Sequence, residues 1–302
     1  MNSRFFGRKT PVCAIAIQQK QYETYILTNE QAQSRLEVVP ERGAIITHWS
    51  LQEHEILYLD SDRFADPNLS VRGGIPLLFP ICGNLPNNTY THKGQQYQLK
   101  QHGFARDLPW KVTESSEATK NPVSLTLVLD SNDQTRSVYP FDFQLAFTYQ
   151  LKDNTLEIQQ RYTNHSNDPM PFSSGLHPYF LTSDKTQLEF EIPASEYQDQ
   201  ITKEIHQFSG SFDLSRDELD LVFRQITERS ASVTDKGRTF KIALGYSDLY
   251  STLVFWTVKG KNFYCLEPWS APRNALNTGE HLSELPPGGS YEASFSITVN
   301  FL

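Results

Sequence analysis

Cysteine is scarce in this chain. Its 302 residues hold three, Cys13, Cys82 and Cys265. The number is odd and no Cys-x-x-Cys spacing occurs, which excludes a disulfide framework and a zinc knuckle and points to small buried hydrophobes in a reducing compartment. Long apolar runs are missing too: no stretch approaches the roughly 18 residues that a membrane helix requires. Basic side chains number 27 against 35 acidic ones, a formal net charge of −8. That balance argues against nucleic acid or an acidic lipid surface as the main partner, while leaving room for a local basic pocket. No Pro/Gly/Ser-rich linker, low-complexity tract or fixed-period repeat marks a boundary, so residues 1–302 are expected to form one domain, as all-β sandwiches of this size do. A Gly-x-Ser-x-Gly elbow and a Ser/His/Asp signature are also lacking, which removes the usual signs of an activated nucleophile.

At the N-terminus, Arg4, Arg8 and Lys9 precede an apolar stretch, 11–17, in loose imitation of a secretory leader. Gln18-Gln19-Lys20-Gln21 follows where a small-residue cleavage site would stand. Val12, Ala14 and Ala16 alternating with Cys13, Ile15 and Ile17 predict a first buried strand instead. A cytoplasmic location is the expectation.

What the chain does have is aromatic mass, 19 Phe, 14 Tyr and 4 Trp, enough for a large core. Alternation at period two dominates. Phe141, Phe143, Leu145, Phe147, Tyr149 and Leu151 fall on one face, and Tyr291, Ala293, Phe295, Ile297, Val299 and Phe301 repeat the pattern, which predicts half-buried strands. Segments 36–39, 124–129, 155–162, 187–192, 239–244, 253–258 and 263–266 read similarly, separated by turn residues such as Asp153-Asn154 and Lys259-Gly260-Lys261. Only 215–229 looks helical. Many short strands with almost no helix predict an all-β chain, a large antiparallel sandwich.

Three segments place ionisable groups beside glycine or proline: Gln101-His102-Gly103-Phe104-Ala105-Arg106, the stretch Ser173-Ser174-Gly175-Leu176-His177-Pro178-Tyr179-Phe180, and Phe263-Tyr264-Cys265-Leu266-Glu267-Pro268-Trp269. His177 and Glu267 each precede proline, which biases them to extended backbone, where a sheet can aim them. An imidazole and a carboxylate together supply an acid and a base. Structural readings stand beside this: His102 and His177 as core histidines, Glu267 in an ion pair. A buried carboxylate without a partner is rare, so Glu267 is the hardest to explain structurally. The other histidines lie in polar or turn-like contexts and are expected to face solvent. A metal site from His102, His177 and Glu267 is conceivable, but separations of 75 and 90 residues match no local metal motif, so no metal is expected.

His102-Gly-Phe-Ala-Arg106, Gly175-Leu-His-Pro-Tyr179 and Leu266-Glu-Pro-Trp269, in this order, resemble the aldose 1-epimerase (galactose mutarotase-like) superfamily. The resemblance runs from about Arg72 to the C-terminus. It implies a β-supersandwich with a sugar cleft on one sheet, no metal or organic cofactor, and a small-molecule sugar or sugar phosphate as the partner. By the same resemblance His177 is the general acid, Glu267 the general base and His102 a second histidine holding the sugar. Asp220, in Glu218-Leu219-Asp220, corresponds to a sugar-binding acid.

The chemistry suits those residue types. A base removes the C1 hydroxyl proton while an acid protonates the ring oxygen, the ring opens to an aldehyde, the C1–C2 bond rotates, and closure on the other face gives the other anomer. Arg72-Gly73-Gly74-Ile75-Pro76, with Arg106, is similar to the branch acting on hexose 6-phosphates, and two guanidiniums suit a phosphate dianion. Pro80-Ile81-Cys82-Gly83-Asn84-Leu85 and the insert through Tyr97 lack that branch's aromatic-rich stretch and look more like bacterial relatives acting on unphosphorylated sugars. Structural salt bridges are the other reading of Arg72 and Arg106. Three functions therefore stay open: an aldose 1-epimerase, a glucose-6-phosphate 1-epimerase, and a carbohydrate-binding protein without turnover that uses Trp269 and nearby tyrosines as stacking faces. A two-carboxylate glycosidase is disfavoured because Glu267 has no second carboxylate in a comparable context.

Overall fold

A computed structural model describes residues 13–116 and 121–302. Two antiparallel eight-stranded sheets dominate. The larger runs Leu188–Glu191, Ser230–Asp235, Phe240–Tyr246, Ser290–Phe301, Thr155–Asn164, Phe143–Lys152, Val123–Asp130, Lys111–Ser115. In the other, Glu196–Asp199, Glu218–Phe223, Thr252–Val258, Phe263–Trp269, Gly175–Leu176 and Leu77–Leu78 lie side by side in that order. Ile205–Gln207 closes one edge, and Tyr179–Leu181 also pairs with Phe263–Trp269. A five-stranded meander, Cys13–Gln19 to His54–Glu55, completes the N-terminal part.

The strongest alternation gives the longest strands. Phe143, Leu145, Phe147, Tyr149 and Leu151 are buried and their neighbours are not. Asp153 takes a φ of 52° at the tight turn into Thr155–Asn164, a conformation that aspartate tolerates better than most residues. On Ser290–Phe301 the middle residues Ala293 to Val299 bury the expected face, whereas Tyr291 and Phe301 at its ends are exposed. Phe190 on the larger sheet meets Phe255 and Tyr264 on the other at ring-centroid distances of 5.1 and 6.1 Å, closing the core between them. Full burial of each such side chain stabilises by about 1.5–3 kcal/mol.

Two local expectations fail. Within 215–229 the structure has the strand Glu218–Phe223, held in register by Thr252–Val258, so that cross-strand pairing overrides a weak helical pattern. The first strand does form, but as the edge of the meander, with Cys13 buried and Ile17 exposed; Arg4, Arg8, Lys9, Pro11 and Val12 lie outside the described residues. All three cysteines are buried and free. Among the described residues no helix is long and apolar enough to cross a membrane.

Candidate active site

Phe263–Trp269 organises the site. Side chains alternate across a strand, so Tyr264 and Leu266 join the main core while Phe263, Cys265, Glu267 and Trp269 face the other way. The neighbouring strands add to that outer face in rows: Asp220–Trp256–Cys265 and Val222–Val254–Glu267. An outer face would ordinarily be wet. Here every residue of the strand is buried, because the segment carrying His177 and Tyr179, together with Tyr58, covers it.

A cavity of about 330 Å³ opens on this face. Arg72, His102, Arg106, His177, Asp220 and Glu267, residues spread over almost 200 positions of sequence, all line it. The backbone explains how they converge. Arg72 precedes Gly73 and Gly74, and Gly74 adopts a left-handed φ of 62° where a Cβ would lie 2.2 Å from the Ile46 carbonyl oxygen, so only glycine lets the chain turn there. Ser173 and Ser174 bind the loops together. Ser173 Oγ accepts from the Cys82 N–H (3.0 Å), and Ser174 exchanges bonds of 2.8 Å with Ser270, just beyond Trp269.

His102 has a left-handed φ of 66°, a conformation that costs a non-glycine residue about 1–3 kcal/mol and clusters at functional sites. Its N–H donates to the Gly83 carbonyl (2.7 Å), and the Gly83 N–H donates to His102 Nδ1 (3.1 Å). Since Nδ1 accepts, the ring proton sits on Nε2, which makes His102 a donor at that end. Burial holds this histidine well below the ordinary imidazole range, with the Arg106 guanidinium the next cause.

His177 Nε2 lies 3.5 Å from Glu267 Oε1, and the Trp269 indole N–H donates to Glu267 Oε2 at 3.0 Å. The imidazole stacks on Tyr179 (4.6 Å, 7°) and meets Trp256 edge-on. Glu267 is 1% exposed and His177 7%. Burial pushes the carboxyl up and the imidazole down, Asp220 adding to the first shift and Arg106 to the second. The pair is thus held in a state of zero net charge. In that state the pair carries one proton, which the two shifts favour on Glu267; Glu267 acts as a base only from the form in which that proton has moved to His177.

Among the described residues, His177, Cys265 and Glu267 bring potential ligand atoms within 4.8 Å of one another.

Arginine is abundant around the cavity: Arg63, Arg72, Arg106 and Arg273 face Glu218, Asp220 and Glu267. Arg273 Nη2 contacts both Asp220 oxygens at 3.0 and 2.8 Å. Arg72 lies over the Trp256 ring (5.8 Å) and Arg106 donates to the Gln101 carbonyl (2.8 Å); among the described residues neither has a carboxylate within ion-pair distance. Arg63, Tyr179, Trp256 and Arg273 also line the cavity. Arg273 follows the Leu266-Glu-Pro-Trp269 motif by four residues, and that proximity was its one signal in sequence.

Packing around Gly175 is tight without any unusual φ. A Cβ there would stand 2.8 Å from Trp269 Cδ1 and 3.0 Å from Cys82 Sγ. Gly175→Ala should therefore destabilise the protein by about 1–3 kcal/mol in denaturant unfolding, by pushing the indole off Glu267. An unchanged unfolding midpoint would show that the indole has room to shift.

A family model described as aldose 1-epimerase matches residues 24–298. The solved structure of the Slr1438 protein from Synechocystis sp. PCC 6803 is 46% identical with a TM-score of 0.91, covering 99% of this chain and 100% of its own. A galactose mutarotase-like protein from Clostridium acetobutylicum shares the fold at 16% identity (TM-score 0.80, 96% and 99% covered). A provisionally named glucose-6-phosphate 1-epimerase of Salmonella typhimurium is 31% identical over 144 residues, 47% of this chain and 44% of that one. The chain belongs to the aldose 1-epimerase family and is an isomerase-type enzyme with the galactose mutarotase-like sandwich.

Proposed function

We propose that the chain interconverts the α and β anomers of an aldohexose, with Glu267 and His177 as its proton-transfer pair, and that its preferred hexose carries a phosphate. The first part rests on one observation, the 3.5 Å approach of His177 Nε2 to Glu267 Oε1 within a cavity whose volume is in the range of small-molecule sites. A pyranose seated there offers its C1 hydroxyl proton to Glu267 and its ring oxygen to His177. Ring opening moves one proton onto the pair and one off it. Closure after rotation about C1–C2 reverses both transfers, so the reaction needs one proton on the pair throughout. In this reading His102 Nε2–H and Asp220, both lining the cavity, hold sugar hydroxyls.

The phosphate reading is favoured by Arg72 and Arg106, whose guanidiniums line the cavity and, among the described residues, have no carboxylate partner. An ion-paired arginine would be spent; these two have donors to offer a dianion.

Anomer exchange of glucose 6-phosphate and of glucose, followed by NMR exchange spectroscopy with and without the protein, tests both parts. The phosphorylated sugar should exchange faster. Burial disfavours both the doubly protonated pair (net +1) and the doubly deprotonated one (net −1), so the rate on glucose, which has no phosphate titrating near pH 6, should stay on a plateau through neutrality instead of breaking near pH 6.5, the ordinary imidazole value. Binding without any acceleration would instead make this a sugar-binding protein, and a break near pH 6.5 would remove His177 from the pair.

A further inference from the structure

Arg273 touches three parts of the site at once. Its head holds both oxygens of Asp220. Its guanidinium carbon stands 5.6 Å from the ring of Trp269, whose N–H binds Glu267. Its stem passes so close to Gly83 that a Cβ there would lie 2.3 Å from Arg273 Cγ, and Gly83, with a left-handed φ of 71°, is the residue that exchanges bonds with His102. A long side chain fixed at both stem and head forfeits most of its rotamer freedom, a cost that a merely decorative surface arginine does not bear.

We propose that Arg273 is a positioning residue of the epimerase site, fixing and neutralising Asp220 so that the His177–Glu267 pair faces one uncompensated carboxylate fewer. The inference rests on the role given to that pair above. Its physical basis is the short list of charges around Glu267. Asp220 opposes ionisation of Glu267, whereas Arg273 and Arg106 favour it. Of the other titratable neighbours, Cys82, Tyr179 and Cys265 are pushed up by burial and stay neutral, His102 is pushed down by burial and stays neutral, and Arg63, Arg72 and Glu218 line the same cavity and are left unchanged in every variant below. Asp220 is half-buried; desolvation raises it and Arg273 opposes that rise. Without Arg273, two buried carboxyl groups of like charge would compete for protons, and the pair's titration would move to higher pH.

The measurement is the pH titration of the Glu267 carboxyl by 13C NMR, assigned by its disappearance in Glu267→Gln, on four proteins: wild type, Arg273→Met, Asp220→Asn and the double variant. Arg273→Met should raise the midpoint by about one pH unit, as expected for a unit charge removed at this range. Asp220→Asn should lower it, and the double variant should return near wild type. Arg273→Lys, which keeps the charge, should stay close to wild type and guards against loss of folding in the methionine variant. The idea fails if Arg273→Met leaves the midpoint in place, or if the double variant behaves like Arg273→Met alone. Carboxyl titration needs no turnover. A wild type that does not accelerate anomer exchange would overturn the proposed function and leave this test standing.

Discussion

Glu267→Gln should reduce protein-catalysed anomer exchange by about 10²–10⁴-fold, the usual contribution of a positioned proton-transfer group. The amide keeps the shape of the carboxyl and an oxygen for the Trp269 N–H, so the loss should appear in kcat with little change in KM. The same variant should be at least as stable as wild type. Glu267 is 1% exposed and its burial disfavours the charged form, a cost that a neutral amide escapes. Thermal unfolding and exchange rates measured on one preparation give both answers. A variant retaining more than about a tenth of the activity would remove Glu267 from the chemistry, since that is far less than a proton-transfer group supplies.

Replacing Arg72 and Arg106 together by alanine should lower kcat/KM for glucose 6-phosphate by about 10²–10⁴-fold. Charge-assisted hydrogen bonds are worth about 1.5–3 kcal/mol each, and each 1.4 kcal/mol is a factor of ten. Glucose itself should lose less than about tenfold, because it has no dianion to forfeit. The phosphosugar's rate should also fall with added salt, steeply in wild type and weakly in the double variant. Equal losses on both sugars would mean that the two arginines shape the cavity and do not recognise phosphate. Arg72 is the more informative single substitution, since it is exposed and lies at the rim over Trp256, where its removal disturbs little packing.

Much of this could be seen in the sequence, and the failures are instructive. Phe143–Lys152 and Ser290–Phe301 were legible because one of their faces is buried and the other is not, which writes period two into the residues themselves. Gly175–Leu176 and Leu77–Leu78 have only two residues each and no room for a period; their pairing is imposed by Phe263–Trp269 and by the serine bonds beside it. Glu218–Phe223 was hidden for another reason. Its polar residues Glu218 and Asp220 point into the cavity, so the alternation reads as a mixed segment until the partner strand is known. Arg72, His102, Arg106, His177 and Glu267 have glycine, proline or histidine close at hand, whereas Asp220 has none. Arg273 follows Pro272, but its significance lies in Asp220, 53 residues earlier, and a contact of that kind leaves no trace in local spacing.

Strand Phe263–Trp269 has its two sides committed to different tasks, Tyr264 and Leu266 to the interior and Glu267 and Trp269 to the cavity. Removing one residue ahead of Glu267 would exchange those tasks wholesale, driving a carboxyl into the sandwich and a leucine into the sugar's place. Length changes here are therefore tolerable only in pairs. Anyone recombining segments of this protein with its relatives should cut in the turn 259–261, where the count is free to drift, and not between Ser270 and Arg273, where it still has to bring Arg273 to Asp220.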